Sequence, residues 1–476
     1  MQAGWRWLMV VAFSVAVATP KVWGDDWLRF RGPNGSGVST DKQPLPTEWS
    51  DSKNLKWKIE LPGPGNSSPI VVGDRVFATC WSGYSDGNGG GRLEDLKRHL
   101  VCIDRKTGKT LWDKSLDAVL PEDNFRGMFA ENGYATHTPV SDGERVYVFY
   151  GKSGVHAYDM DGNQLWDVNV GTELDRRGWG SASSPILFEN LVIVTASVEN
   201  HSIVALDKKT GKKIWEQEAD GFGSTWGTPV LVDNGKLTEL VIGVPYEFWS
   251  LNPKTGKLLW YCDAINSNSM CSSVVAADGV VYAVESGPGG GGGVAVKVGG
   301  KGNVTDSHRI WTNRDRSRVG TPVIQDGVMY YISSGIAYAA DIKTGEQIYR
   351  ERLRSSSSSN GNNNDNGNDG ERGSRFGGGS RFGGGGGRGG GQDYSSPIIA
   401  DGKIFYARRN GDVYVLKVGR KFEQLAVNKF ESSDGDFSGT PAVSDGELFI
   451  RGGKMLYCVT QKDGDTKEVK SEEKAE

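Results

Sequence analysis

Short apolar or alternating runs, each closed by Asp-Gly, Thr-Gly or a proline, recur along most of the chain. Period-two alternation marks half-buried strands, and Asp, Thr and Gly at these positions supply the side-chain bonds and positive φ of tight turns. The clearest unit is a small residue, proline and an apolar pair, then a turn and a β-rich run. It reads SSPIVVGDRVF from Ser67, HTPVSDGERVYVF from His137, SSPILFENLVIV from Ser183 and GTPVLVDNGK from Gly227. It returns as GTPVIQDGVMYYI from Gly320, SSPIIADGKIFY from Ser395 and GTPAVSDGELFI from Gly439. CSSVVAADGVVYAV, from Cys271, keeps the register with Val274 where the others have proline. The anchors are therefore Pro69, Pro139, Pro185, Pro229, Val274, Pro322, Pro397 and Pro441, eight in all.

A second motif, Asp-x-x-Thr-Gly-x-x-x-Trp, follows most anchors. It is whole from Asp104 to Trp112 and from Asp207 to Trp215, and altered from Asn252 to Trp260 and from Asp341 to Tyr349. Trp166 and Trp311 end looser versions, and Leu425 stands in the weakest. Each repeat thus predicts four strands, A to D, with Asp-Gly joining A to B and Thr-Gly joining C to D. Such a unit cannot bury both faces of its sheet alone, so repeats must stack, and radial stacking leaves only short edges. The last repeat ends near Thr460 without a Trp-bearing fourth strand. NLKWKIEL, from Asn54, has that look, with Trp57 in place. The pattern predicts an all-β, eight-bladed propeller over 54–460, its ring closed by residues 54–61. The recurring tryptophans (Trp57, Trp112, Trp166, Trp215, Trp260 and Trp311) are expected to pack between blades.

The same topology sorts the loops onto two faces. Asp-Gly and Thr-Gly turns share one face; the B–C and D–A loops share the other, which carries the variation. The long segments there are a B–C insertion over 81–99, a D–A connection over 117–136, a glycine-rich B–C loop from Gly287, and a Ser/Asn/Gly/Arg-rich insertion over 355–392 expected to be disordered. Residues just before the anchors are expected to ring the channel mouth. The candidates for ligand or partner binding are Asn66, Tyr134, His137, Arg176, Arg177, Trp179, Trp226, Arg318, Asp393, Tyr394 and Asp436, with Cys271 and Phe437 beside them. Aromatic and arginine side chains converging on a concave centre make ligand or peptide pockets. The alternative is that the Trp-Gly and Ser/Thr positions only pack the mouth.

Composition adds limits. Among 476 residues, 37% hydrophobic and 24% charged is a globular balance, and a net charge of −4 gives no footing for nucleic acid. The 68 glycines fit a chain of many tight turns, and the 15 tryptophans fit one packing position used repeatedly. At the start, Arg6 precedes an apolar run from Trp7 to Ala18, followed by small residues at Ala18 and Gly24. This predicts a signal peptide over 1–24, or an uncleaved anchor, and a periplasmic or secreted protein. Residues 25–53 then form an N-terminal extension and 461–476 a charged tail. The five cysteines form no framework; Cys262 and Cys271 either close one loop or stay as small hydrophobes.

The repeats resemble the quinoprotein-like propellers, which include dehydrogenases that hold pyrroloquinoline quinone and the non-catalytic BamB-type assembly factors. The resemblance spans roughly residues 50–460 and rests on the Asp-x-x-Thr-Gly-x-x-x-Trp repeats; it implies fold and is nearly silent on function. The opening WLRFRGPNGSG, from Trp27, is similar to the start of a bacterial subgroup of such proteins. By resemblance, a quinone alcohol dehydrogenase needs a vicinal cysteine pair, a calcium held by Glu, Asn and Asp, and a catalytic Asp. No Cys-Cys or Cys-x-x-Cys-His occurs in the sequence. Asn66, Glu131, Asp393 and Asp436 offer oxygens, but no spacing that selects calcium. The five histidines (His99, His137, His156, His201 and His308) make no metal-ligand spacing. No catalytic or metal residues are assigned. The Arg-Phe-Gly-Gly units at Arg375 and Arg381 resemble RNA-binding tracts, but export argues against RNA. The leading expectation is a monomeric extracytoplasmic platform for an envelope protein or small ligand. The alternative is a periplasmic oxidoreductase using pyrroloquinoline quinone and Ca²⁺.

Overall fold

The computed structural model describes residues 26–85, 90–125, 133–175, 177–286, 290–355, 393–431 and 436–461. The expected signal segment and nearly all of the 355–392 insertion and charged tail lie outside the described residues. What is described forms eight sheets, each with its strands in the order A-B-C-D. The first blade comprises Ile70–Val72, Arg75–Ser82, Lys97–Asp104 and Thr110–Asp117. Later blades begin at Val140–Ser141, Ile186–Phe188, Val230–Asp233, Val275–Ala277, Val323–Gln325 and Ile398–Ala400. The eighth is built from both ends of the chain. Its inner strands are Ala442–Ser444, Glu447–Gly452 and Met455–Thr460, and Leu55–Glu60 pairs antiparallel with the last of these, Trp57 facing Cys458. The chain is an all-β eight-bladed propeller, closed as its sequence predicts.

The apolar core lies between blades rather than within them. One cluster joins Ile398 and Phe405 of blade 7, Phe449 and Tyr457 of blade 8, and Val71 and Val76 of blade 1. Fully burying such side chains stabilises by roughly 1.5–3 kcal/mol each, which no isolated blade could realise.

The tryptophans bind the seams and explain why they travel with the Thr-Gly turn. Trp57, Trp112, Trp166 and Trp215 each donate their indole N–H to a carbonyl of the following blade, on Arg105, Met160, Lys208 and Pro253, at 2.8–3.0 Å. Each ring lies on that blade's turn glycine: Trp57 on Gly108, Trp112 on Gly162, Trp166 on Gly211, Trp215 on Gly256. A Cβ on these glycines would come within 2.5–2.8 Å of a side-chain carbon. Glycine is thus required there by contact as well as by positive φ. Trp260 departs from the pattern. Its indole donates to Glu239 of its own blade at 2.6 Å, and Gly302–Asn303 pairs parallel with its strand as a fifth member of blade 4.

One reading needs correction. The B–C insertion placed over 81–99 shrinks to 83–96, because cross-strand pairing continues out to Ser82 and Lys97. All five cysteines are free, so of the two alternatives for Cys262 and Cys271 the unbridged one holds.

Candidate functional site

The residue before each anchor is a serine or threonine in all eight repeats: Ser68, Thr138, Ser184, Thr228, Ser273, Thr321, Ser396 and Thr440. These side chains converge on the channel and line its central chamber. They also form a belt. The backbone N–H of Ser68 donates to Thr138 Oγ1, and the relay continues through Ser184, Thr228, Ser273, Thr321 and Ser396 to Thr440, every bond 2.9–3.0 Å. The seam between blades 8 and 1 is held differently. Buried Arg451 reaches across from blade 8, its Nη1 donating to Ser67 Oγ at 2.8 Å and to the Thr79 carbonyl.

The N-terminal extension closes the turn-side end of the channel. Trp27 bridges to Val71 of blade 1 and Val38 to Ile399 of blade 7, so the chain between them crosses the ring. Its Leu28 carbonyl accepts from Ser141 N at 2.9 Å, and Asn34 Nδ2 donates to the Leu231 carbonyl at 2.7 Å. Inside the crossing, buried Arg31 donates to the carbonyls of Thr321, Pro322 and Pro397 at 3.2, 2.6 and 3.0 Å. Arg29 reaches the Pro229 carbonyl at 3.4 Å, and Phe30 between them lines the chamber. Burial lowers both guanidinium pKa values, Arg29 to about 10 and Arg31 to about 9, leaving both charged at neutral pH. Only the alternating aromatic and arginine pattern of WLRFRG hinted at this plug.

The chamber has a volume of about 150 Å³. Of the sequence candidates, Asn66, Trp179, Trp226, Arg318 and Tyr394 line it, together with Cys271. Trp179 and Trp226 have ring centroids 4.8 Å apart, tilted by 38°, and Arg177 lies 5.7 and 5.8 Å from the two rings. Asp175 holds this loop in shape by accepting the backbone N–H groups of Arg177, Trp179 and Gly180 at 2.7, 2.5 and 2.7 Å. Arg176 lies outside the described residues.

Four candidates fall elsewhere. Asp393 accepts from Arg408 Nε and from the Arg409 backbone, both at 3.2 Å, while Asp436 lies 3.6 Å from Arg409 Nη2 and accepts from Ser438 Oγ at 2.5 Å. These carboxylates are committed to neighbouring loops and do not line the chamber. Tyr134 and His137 belong to a second cavity of about 30 Å³, between the first three blades. The Tyr134 hydroxyl donates to the Asp123 carbonyl at 2.9 Å, and buried ion pairs Arg98–Glu122 and Lys152–Asp123 stand beside it at 2.6 and 2.8 Å.

His137 Nε2 and Glu199 Oε1 lie 3.1 and 2.5 Å from the same Ser181 hydroxyl. A relay that activates a serine places the imidazole between hydroxyl and acid; here both reach one hydroxyl, so the arrangement is structural. Burial pushes His137 down to about 3, hence neutral, and Glu199 up to about 7. Glu285 is likewise raised by burial, to about 8, while its Oε2 accepts from the backbone of Cys271 and Ser272 at 2.9 and 2.8 Å. Sequence inspection missed both glutamates because nothing local announces their burial.

The residues present do not form a calcium–quinone site of the expected kind. Among the described residues no carboxylate lines the chamber, and no three His, Cys, Asp or Glu side chains are grouped to hold a metal ion.

Eight radially stacked, four-stranded blades with this turn–tryptophan repeat define a quinoprotein-type repeat propeller. A family model described as outer membrane protein assembly factor BamB matches residues 92–197 and 151–421, and the chain belongs to that family. BamB from Moraxella catarrhalis superposes with a TM-score of 0.55 at 12% identity, covering 86% of this chain and 98% of that one. A europium-containing methanol dehydrogenase gives 0.56 at 11% identity, covering 90% of each chain. At such identities the likeness is one of fold. Among curated sequences, a polyvinylalcohol dehydrogenase from a Pseudomonas species is 24% identical over 224 residues, 42% of this chain and 30% of its own. A quinoprotein ethanol dehydrogenase from Pseudomonas aeruginosa is 26% identical over 151 residues, 27% of this chain and 23% of its own. The chain therefore spans less than a third of either relative. Among the described residues no helix is long and apolar enough to cross a membrane.

Proposed function

We propose that the protein is an extracytoplasmic binding or assembly platform, with the loop-side mouth of the channel as its binding surface. One observation carries this reading. The chamber is blind at the turn side, where the plug crosses, and its mouth is walled by Trp179, Trp226 and Arg318 without a lining carboxylate among the described residues. Aromatic and arginine anchors supply binding energy, and among the described residues no carboxylate or histidine lines the chamber to act as general acid or base. The ligand is a protein segment or small molecule, and the family match to an assembly factor agrees with a non-catalytic role.

The test is co-purification from the native envelope, comparing wild type with Arg177→Ala and Trp179→Ala. Arg177 is exposed and Trp179 partly so; thermal melts establish that each variant folds, and bound material should fall at least tenfold, as a loss of about 1.4 kcal/mol or more implies. Equal recovery by wild type and both variants would remove the mouth from consideration.

A quinone oxidoreductase is the second reading, favoured by the two dehydrogenase matches and the paired tryptophans. Purified protein mixed with pyrroloquinoline quinone, with and without Ca²⁺, decides it. Stoichiometric uptake with dye reduction by alcohols would overturn the platform.

A further inference from the structure

The belt leaves the chamber with an excess of hydrogen-bond donors. Seven hydroxyls, on Thr138, Ser184, Thr228, Ser273, Thr321, Ser396 and Thr440, each accept a backbone N–H from the preceding blade. A hydroxyl used in this way still has one proton to donate. None of the seven donates it to a described residue, and all seven side chains face the chamber. Several wall acceptors already have donors. Arg31 covers the carbonyls of Thr321, Pro322 and Pro397, and Arg29 that of Pro229, which are ring residues or their immediate neighbours.

Charge has the same sign. Arg29 and Arg31 are buried, and their hydrogen bonds go to carbonyls, with no carboxylate paired to either among the described residues. A buried charge without a counter-charge is costly, and an anion nearby relieves that cost. Arg318, half-buried in the chamber wall, makes no hydrogen bond to a described residue. Glu285, whose carboxyl feels the Arg318 charge, is raised by burial to about 8 and is largely protonated at neutral pH.

We propose that the chamber binds a compact oxyanion, a carboxylate or phosphate group of a small molecule that enters past Trp179 and Trp226. The inference rests on the ligand-binding reading above and names the ligand's chemistry. The hydroxyl ring surrounds the anion with donors, Arg318 meets it at the wall, and the charges of Arg29 and Arg31 lie behind it. At about 150 Å³ the space exceeds the roughly 30 Å³ of a single water.

Calorimetry and intrinsic tryptophan fluorescence of the purified protein, titrated with inorganic phosphate, citrate and neutral sorbitol, test this. One or both anions should bind with one-to-one stoichiometry and sorbitol should not; which anion binds separates phosphate from carboxylate. Arg318→Gln should weaken binding about tenfold or more, since charge-assisted hydrogen bonds are lost. Thr321→Ser, which keeps the hydroxyl, should bind as wild type, and Thr321→Val should bind less. Thermal melts without ligand establish that each variant folds. No anion binding up to about 10 mM, or binding indifferent to Arg318→Gln in a folded variant, overturns the proposal. Sorbitol binding as tightly as the anions overturns the oxyanion assignment while leaving the platform reading intact.

Discussion

Glu199 and Glu285 are 3% and 0% exposed, and each is raised chiefly by desolvation, to about 7 and about 8. The folded protein therefore keeps protons that the unfolded chain releases near pH 4.5. Stability from this source is fully present below that pH and is lost as pH rises toward 7 for Glu199 and 8 for Glu285. Glu285→Gln preserves an oxygen for the Cys271 and Ser272 N–H groups while removing the titration. Chemical denaturation should show the variant gaining on wild type between pH 5 and pH 8, by on the order of 1–3 kcal/mol. A pH-independent difference would mean that the carboxyl is ionised in the fold. Gly211 offers a test of the seams at the same scale. Its φ is +72°, and a Cβ would lie 2.8 Å from the Trp166 ring. Gly211→Ala should cost about 2–4 kcal/mol from left-handed strain and overlap, read from urea midpoints. Gly279 has the same φ but open space around it, so Gly279→Ala should cost only the strain.

At the scale of elements, the A strands are short, three residues in blade 1 and two in blade 2, and few ladder bonds can hold them in place. The hydroxyl belt compensates by tying each strand's entry to the next blade. Thr228→Val should leave the Ser184 N–H without an acceptor in a buried setting, costing roughly 1–3 kcal/mol. Thr228→Ser should restore most of it, and denaturation midpoints of the pair separate the bond from packing. The small-residue-proline motif is legible in the sequence as a repeat marker, but there its hydroxyls suggest no more than packing of the mouth. Their belt role could not be read from the chain, because each partner lies about 44 to 75 residues away.

The whole molecule is a ring closed twice. Leu55–Glu60 completes blade 8, and the preceding segment crosses the channel to set Arg31 among carbonyls of blades 6 and 7. Removing residues 26–53 should therefore open the channel and leave wall carbonyls without donors. Truncated protein should melt well below the full chain and bind hydrophobic dyes below its transition. Unchanged melting would show that the plug contributes nothing to the ring. The extension was set apart from the propeller on sequence grounds, since it carries no anchor and no turn–tryptophan motif. Its packing makes it part of the channel.

Strands, turns, blade number and the closing strand were fixed by local chemistry repeated at regular intervals: alternation, Asp-Gly and Thr-Gly turns, and a tryptophan at one position in six of the eight repeats. Repetition made these readable, since eight copies of one packing problem leave one common solution in the sequence. The site was legible only as a set of positions on one face. Asn66, Trp179, Trp226, Arg318 and Tyr394 reach the chamber, while Asp393 and Asp436 turn to arginines on a neighbouring loop and Tyr134 and His137 sink into the neighbouring cavity. That sorting depends on loop conformation and on distant partners. So does the chamber's polarity, because hydroxyls become free donors only once neighbouring blades have claimed their lone pairs. Burial did the rest, raising two ordinary glutamates to about 7 and about 8 and turning two arginines near the N-terminus into the floor of the channel.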